Sequence, residues 1–298
     1  MIYLDYQATT PLAPEAREAM LRWLGGSDSD TFGNPHSPHR MGRMAAAAVE
    51  VARDQVAALF PPGGTVHFTG NACEAINLAL RGIGTIQRSA EWYARARAAG
   101  ALFLSDSVQA YGKVALAEAD LIAISSHKLY GPKGIGALWV RDGVALAPQI
   151  TGGLQEKIRS GTLSPALCAG FGAAAALAAA HMESDAAHMR ALWDRARDLF
   201  GGWELNGSAQ RRWFGNLSIR KPGLDVARLM SECRNVMFSA GSACASGSGK
   251  PSHVLRAIGL DDRAAKSSIR IGFGRYTTMD QLEDAAEVIN AAAAAQEV

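Results

Sequence analysis

Apolar and polar positions change period several times along this chain. Helical spacing over Pro14–Leu24 predicts an amphipathic helix with Pro14 in its first turn. The same pattern predicts helices over Ala45–Phe60, stopped by Pro61 and Pro62, and over Ser89–Ala99, Asp225–Cys233 and Met279–Ala295. Pro165–Phe200 is a long alanine-rich helical region. Short apolar runs over Thr65–Phe68, Ala101–Ser105, Leu121–Ile124 and Ile135–Val140 read as buried strands. Strands alternating with helices predict a parallel sheet in an α/β domain. Further on, strands at Arg212–Arg220, Val236–Ser239 and Ser267–Phe273 mix with helices and predict a smaller α+β domain.

The stretch Leu121–Val140, LIAISSHKLYGPKGIGALWV, carries the first candidate chemistry. Lys128 sits between two apolar runs, after His127 and before a Gly/Pro segment. A lysine on such a loop is more often a surface residue. Held partly dry at a strand end, however, its pKa falls and its amine becomes available for Schiff-base chemistry. The strand before it, ALFLSDSVQA, ends in Asp106 and Gln109. An acid near such a lysine is what the ring nitrogen of pyridoxal phosphate needs to stay protonated. The loop after Thr65–Phe68, Thr69 to Glu74, opens a helix and presents free N–H groups to a phosphate. Cys244 lies on a Ser/Gly/Ala loop, where access and mobility favour a reactive thiol, although a lone loop cysteine is more often incidental. Cys168 and Cys233 fall in helical patterns and read as core.

These residues resemble the class V aminotransferases and, within them, the cysteine desulfurases. The resemblance rests on Asp106–Gln109 with Ser125–Gly134, and continues at Tyr3–Pro11 (YLDYQATTP), Gly33–His39 (GNPHSPH), Arg159–Thr162 (RSGT), Ser239–Leu255 (SAGSACASGSGKPSHVL) and Ser268–Thr278 (SIRIGFGRYTT). It implies a fold-type I pyridoxal-phosphate-dependent transferase. Residues 11–165 would form the large domain with a mostly parallel sheet. Residues 1–10 and 166–298 would form the linking helix and the small α+β domain carrying the Cys244 loop. It implies Lys128 as the lysine that carries pyridoxal 5'-phosphate, Asp106 on the ring nitrogen, and Gln109 on the ring oxygen. Ser125, His127, Ala72 and Cys73 would hold the phosphate, with Thr162 reaching the phosphate of a neighbouring subunit in a homodimer. Arg270 would clamp the substrate carboxylate, a task suited to the planar fork of arginine, and Asn34 would also face the substrate. His39 is read with equal weight as a helix cap, and Arg275 and His253 as structural. Cys244 would attack the sulfur of L-cysteine, keep it as a persulfide, and pass it to an iron–sulfur scaffold or a tRNA-thiolation relay protein. No metal site is expected within the chain; the persulfide would meet an iron–sulfur cluster only on a partner.

The chain departs from the family's pattern in places. Asn71 stands for a glycine of the phosphate loop, Cys73 for a threonine, Leu154 for a third glycine, and Gly272 for a serine. At Ile83–Gly84 several tens of residues of the family are absent. They would carry a ring-stacking histidine and an Asn-Asn-Glu turn whose asparagine contacts the ring oxygen, and their loss is expected to take strands from the middle of the sheet. Two other readings stay open: a desulfurase-like protein that kept only binding or scaffold roles, and another pyridoxal enzyme of this fold, such as a selenocysteine lyase.

Composition narrows the picture further. With 48% hydrophobic and 19% charged residues among 298, the chain can build a sizeable core. A net charge of +2 and no Lys/Arg run argue against nucleic-acid binding. The N-terminus shows no secretory pattern, and no unbroken apolar run predicts a membrane span. Four scattered cysteines without CxxC spacing argue against zinc and a disulfide framework, so a reducing cytoplasm is expected.

Overall fold

The computed structural model describes residues 1–83, 96–153, 155–241 and 252–296. They fall into two units, Pro11–Met182 and Met1–Thr10 with Glu183–Val298. In chain order the elements are β1 (Ile2–Tyr3), α1 (Pro14–Leu21), α2 (Arg40–Ala57), β2 (Gly64–Thr69), α3 (Ala72–Ile83), β3 (Leu104–Asp106), β4 (Leu121–Ser125), β5 (Gly136–Arg141) and α4 (Pro165–Leu199). Then come β6 (Glu204–Leu205), β7 (Asn216–Arg220), α5 (Val226–Glu232), β8 (Val236–Met237), β9 (Ser239–Ala240), α6 (His253–Ala257), α7 (Asp262–Lys266), β10 (Ser268–Gly272) and α8 (Met279–Ala294).

In the unit Pro11–Met182 the sheet runs β2-β5-β4-β3. Strand β5 is antiparallel to both its neighbours, and β3 is parallel to β4. Strands β2, β4 and β3 therefore point one way, with β5 reversed between them. Strand β4 is buried along its whole length, as its unbroken apolar sequence requires. Its Ile122 and Ile124 join Phe68, Trp139 and Phe171 under Val49 and Val56 of α2. Its Leu121 and Ala123 join Leu138, Val140 and the Ala75, Leu78 and Ala79 face of α3.

The four described strands form a continuous ladder. Strands β2 and β3 lie at opposite ends of an unbroken four-stranded ladder. The shortened connection leaves α3 and returns at an end of the sheet, so no hydrogen-bonded neighbour is lost between the described strands. The helix expected over 89–99 falls mostly outside the described residues, as does the loop around Cys244.

In the other unit, β6-β7-β10-β9 form an antiparallel sheet, and β1 pairs in parallel with β8. Leu217, Ile219, Ile269 and Ile271 pack beneath Trp193 of α4 and Leu282 and Ile289 of α8. The single strand expected over Val236–Ser239 is divided because β8 pairs with β1 whereas β9 pairs with β10. The strand expected from Arg212 begins only at Asn216; Arg212 instead folds back, its Nη2 donating to the Asn216 carbonyl at 2.9 Å. Helix α4 is long and apolar enough by composition to cross a membrane. Even so, its Cys168, Phe171 and Ala175 are core residues of one unit, and its Leu192, Trp193 and Ala196 of the other.

A buried charge cluster ties the loop after β5 to the larger unit. Arg53 of α2 donates from Nη2 to Glu156 Oε1 at 2.7 Å and lies 4.9 Å from the Phe68 ring centre. His67 Nδ1 stands 3.4 Å from the other Glu156 oxygen. Burial alone would raise the Glu156 carboxyl's pKa, but hydrogen bonds from His67 and Arg53 outweigh it and hold the group below its ordinary range. Replacing one member strands the other. Arg53→Met is expected to lower unfolding stability by about 3–5 kcal/mol, seen as an earlier urea midpoint, with most of the loss recovered in Arg53→Met/Glu156→Leu. An unmoved midpoint in the single variant would show that the pair adds no net stability.

Candidate functional site

The register of the larger sheet brings the expected residues to one end. Gly136 of β5 pairs with both Thr69 of β2 and Ser125 of β4, so these three form one row. Asp106 ends β3 opposite Ala123, just short of that row. Beyond it lie the loop 70–74 and a 3-10 turn, Ser126–Lys128. Three strands thus deliver their C-terminal ends to the same edge, where ligands of open α/β sheets bind.

Each residue has a local reason for its place. Asp106 is exposed and accepts the Val108 N–H at 3.1 Å, which fixes its carboxylate in a turn. Gln109 accepts from Lys113 Nζ at 2.9 Å. Lys128 is half-buried. Burial, followed by the charges of Lys128 and Lys133, pushes the His127 pKa down, so its ring is neutral near pH 7. Tyr130 follows with φ of 63°, a left-handed conformation uncommon for a tyrosine, and its carbonyl accepts the Ala13 N–H at 2.8 Å.

The loop 70–74, expected to hold the phosphate, is fitted closely to the sheet. A Cβ on Gly136 would stand 2.8 Å from the Asn71 carbonyl carbon and 3.0 Å from the Ala72 nitrogen, so glycine lets this loop lie directly on the sheet. The N–H groups of Ala72 and Cys73 belong to the first turn of α3, ahead of any intrahelical acceptor. Asn71 Oδ1 accepts the Glu74 N–H at 2.9 Å and serves as the helix cap, which gives a reason for asparagine here. The Gly70 N–H donates to Glu74 Oε2 at 2.8 Å, and Arg159 Nε donates to Glu74 Oε1 at 2.6 Å. A carboxylate beside a phosphate site would repel it; pairing with Arg159 cancels that charge. Together with Ser125, His127 and Lys128, and with Asp106 as an acceptor, these groups fit the phosphate and ring ends of pyridoxal phosphate.

Thr162 of the RSGT segment is exposed. The segment is pinned by the Arg159–Glu74 pair and by a Glu156–Arg159 bridge. Asn34 turns into its own loop, Oδ1 accepting the His36 N–H at 2.9 Å. His39 is the cap of α2, its Nδ1 accepting the Gly42 N–H at 3.2 Å. Cys168 and Cys233 are buried, and burial pushes the Cys168 thiol up to about 12. Cys73 is exposed at the start of α3.

In the other unit, Arg270 lies on β10 and donates from Nη2 to Asp5 Oδ1 at 2.8 Å and to Ser239 Oγ at 3.3 Å. Its Nε is buried with no hydrogen-bond partner. Asp5 thus holds one corner of the fork, a role the sequence pattern did not single out although Asp5 lies within YLDYQATTP. Gly272, two residues on, is explained by its neighbours: a Cβ there would sit 1.9 Å from Gln7 Oε1 and 3.0 Å from the Tyr6 nitrogen. Arg275 is structural, its Nη2 pairing with Asp185 at 2.6 Å. Cys244 lies outside the described residues.

The family described as aminotransferase class-V matches residues 2–85 and 82–284, two pieces that meet at the Ile83–Gly84 junction. The cysteine desulfurase IscS of Rickettsia bellii is 34% identical over 372 aligned residues, covering 97% of this chain and 90% of the relative. The aligned length exceeds the chain itself, so the relative carries several tens of residues with no counterpart here. The IscS of Shewanella loihica is 34% identical, covering 97% of this chain and 91% of its own. Among solved structures, a NifS-like protein from Rickettsia africae superposes with a TM-score of 0.86 at 23% identity, covering 98% of this chain and 99% of that one. SspA, solved in complex with cysteine, superposes at 0.75 with 26% identity, covering 93% and 100%.

Cys73→Thr is expected to return a hydroxyl donor to the phosphate loop and tighten pyridoxal phosphate about tenfold, measured by titrating apo-protein, with Cys73→Ala close to the parent. Equal affinities in all three would place the side chain at 73 away from the phosphate.

Proposed function

The chain belongs to the class V aminotransferase family, and from that premise we propose that it is a pyridoxal-phosphate-dependent cysteine desulfurase converting L-cysteine to L-alanine. The observation that carries the reading is the shared row of Thr69, Gly136 and Ser125, which gathers the phosphate loop, Lys128 and Asp106 at one end of the sheet. Full-length similarity to desulfurases supports the same conclusion.

When bound, pyridoxal phosphate supplies an electron sink conjugated to the substrate's amino-bearing carbon. Lys128 carries it and moves the proton at that carbon. Asp106 keeps the ring nitrogen protonated, and Gln109 donates to the ring oxygen. Ser125, His127 and the Ala72 and Cys73 N–H groups hold the phosphate. Arg270 binds the substrate carboxylate, oriented by Asp5. The Cys244 thiolate attacks the sulfur of the bound cysteine. The S–S bond forms, the C–S pair passes to the β-carbon, that carbon takes a proton, and alanine leaves with a persulfide on Cys244. The acceptor is an iron–sulfur scaffold or a thiolation relay protein, in the cytoplasm. Exposed Thr162 supports a homodimer in which it reaches the partner subunit's phosphate.

Lys128→Ala is expected to remove the visible absorption of the purified protein while leaving its far-UV circular dichroism unchanged; retention of a borohydride-reducible chromophore would assign the cofactor to another lysine. Cys244→Ser is expected to keep the cofactor and lose sulfide release from cysteine, because an alcohol cannot accept a sulfane sulfur. Undiminished turnover in that variant would move the nucleophile, with exposed Cys73 the next to replace.

A further inference from the structure

Lys113 has no assigned role, yet it touches the residue expected to meet the cofactor's ring oxygen. Its Nζ lies 2.9 Å from Gln109 Oε1. An ammonium only donates, so Gln109 must present its carbonyl oxygen to Lys113. The contact is built into the backbone. The turn after Asp106 is closed by Ala110 and Tyr111 N–H groups on the Ser107 carbonyl, and by Lys113 and Val114 N–H groups on the Ala110 carbonyl. Gly112 adopts φ of 68°, and a Cβ there would stand 2.3 Å from Leu129 Cδ1 and 3.0 Å from Ala178 Cβ. Only glycine combines that conformation with that approach. The turn therefore packs against the residue following Lys128 and aims Lys113 back at Gln109.

We propose that Lys113 is a positioning residue that fixes the polarity of the Gln109 amide, so that Gln109 donates, rather than accepts, at the ring oxygen of pyridoxal phosphate. This rests on the functional reading above. Burial and then the Lys128 charge lower the Lys113 pKa to about 8, in keeping with a place beside the cofactor lysine.

The test is a double-mutant cycle on cofactor affinity. Apo-protein of the parent, Lys113→Met, Lys113→Arg, Gln109→Leu and Lys113→Met/Gln109→Leu is titrated with pyridoxal phosphate, and the visible band of each loaded form is recorded. Lys113→Met is expected to weaken binding about tenfold and to move the band in the same direction as Gln109→Leu. Lys113→Arg restores both, and the double variant binds no more weakly than Gln109→Leu alone. A Lys113→Met loss that persists in full when Gln109 is already leucine, or no loss at all, overturns the proposal. A parent chain that binds no pyridoxal phosphate overturns the functional reading and this inference with it, whereas parent binding that survives Lys113→Met intact overturns this inference alone.

Discussion

The register of β5 is the constraint on which the rest of the larger unit depends. This strand bonds to β2 on one side and β4 on the other, and its Gly136 fixes the level at which both neighbours end. A slip of one residue would turn Leu138 and Val140 from the α3 face toward the α2 face, and would send Trp139 and Ala137 the other way. The penalty for misplacing Trp139, fully buried and stacked near Phe60, falls on the core. The precision appears at the sheet's end, where the phosphate loop and the lysine turn meet across a glycine. Core packing thus sets the level at which the residues of the sheet's end stand.

The same ladder explains how the chain can do without a segment that its relatives retain. Material removed between α3 and β3 leaves β2, β5, β4 and β3 hydrogen-bonded in order. By the resemblance, the absent segment would carry a ring-stacking histidine and an asparagine, whereas Lys128, Asp106 and the N-terminus of α3 all lie on the described sheet's end. Beside the loop 70–74, Arg159 pairs with Glu74.

Much of this was legible in the sequence, for identifiable reasons. Leu121–Val140 announces two strands around a polar turn because both are buried on both faces and so read as unbroken apolar runs. The phosphate loop, Lys128 and Asp106 carry distinctive residue types at strand ends. Less visible was whatever depends on pairing partners. Nothing in Val236–Ala240 signals that two residues join one sheet and the next two another. Asp5 gives no sign of facing Arg270, since 265 positions separate them. Lys113 is only four positions from Gln109, but the contact needs the left-handed Gly112 between them. Asn71 looked like a damaged phosphate loop and proves to be a helix cap.

The unit formed by Met1–Thr10 and Glu183–Val298 has a consequence for the birth of the protein on the ribosome. Strand β1 pairs with Val236 and Met237, and Asp5 with Arg270, so residues made before Pro11–Met182 are completed by residues made after it. At roughly 5–20 residues per second, the first strand waits on the order of tens of seconds for its partner. Meanwhile Pro11–Met182, a unit continuous in sequence, has all of its own residues in place. The order of synthesis thus lets the half that carries Lys128 form before the half that carries Cys244, while Met1–Thr10 passes that interval without the partners it has in the folded unit.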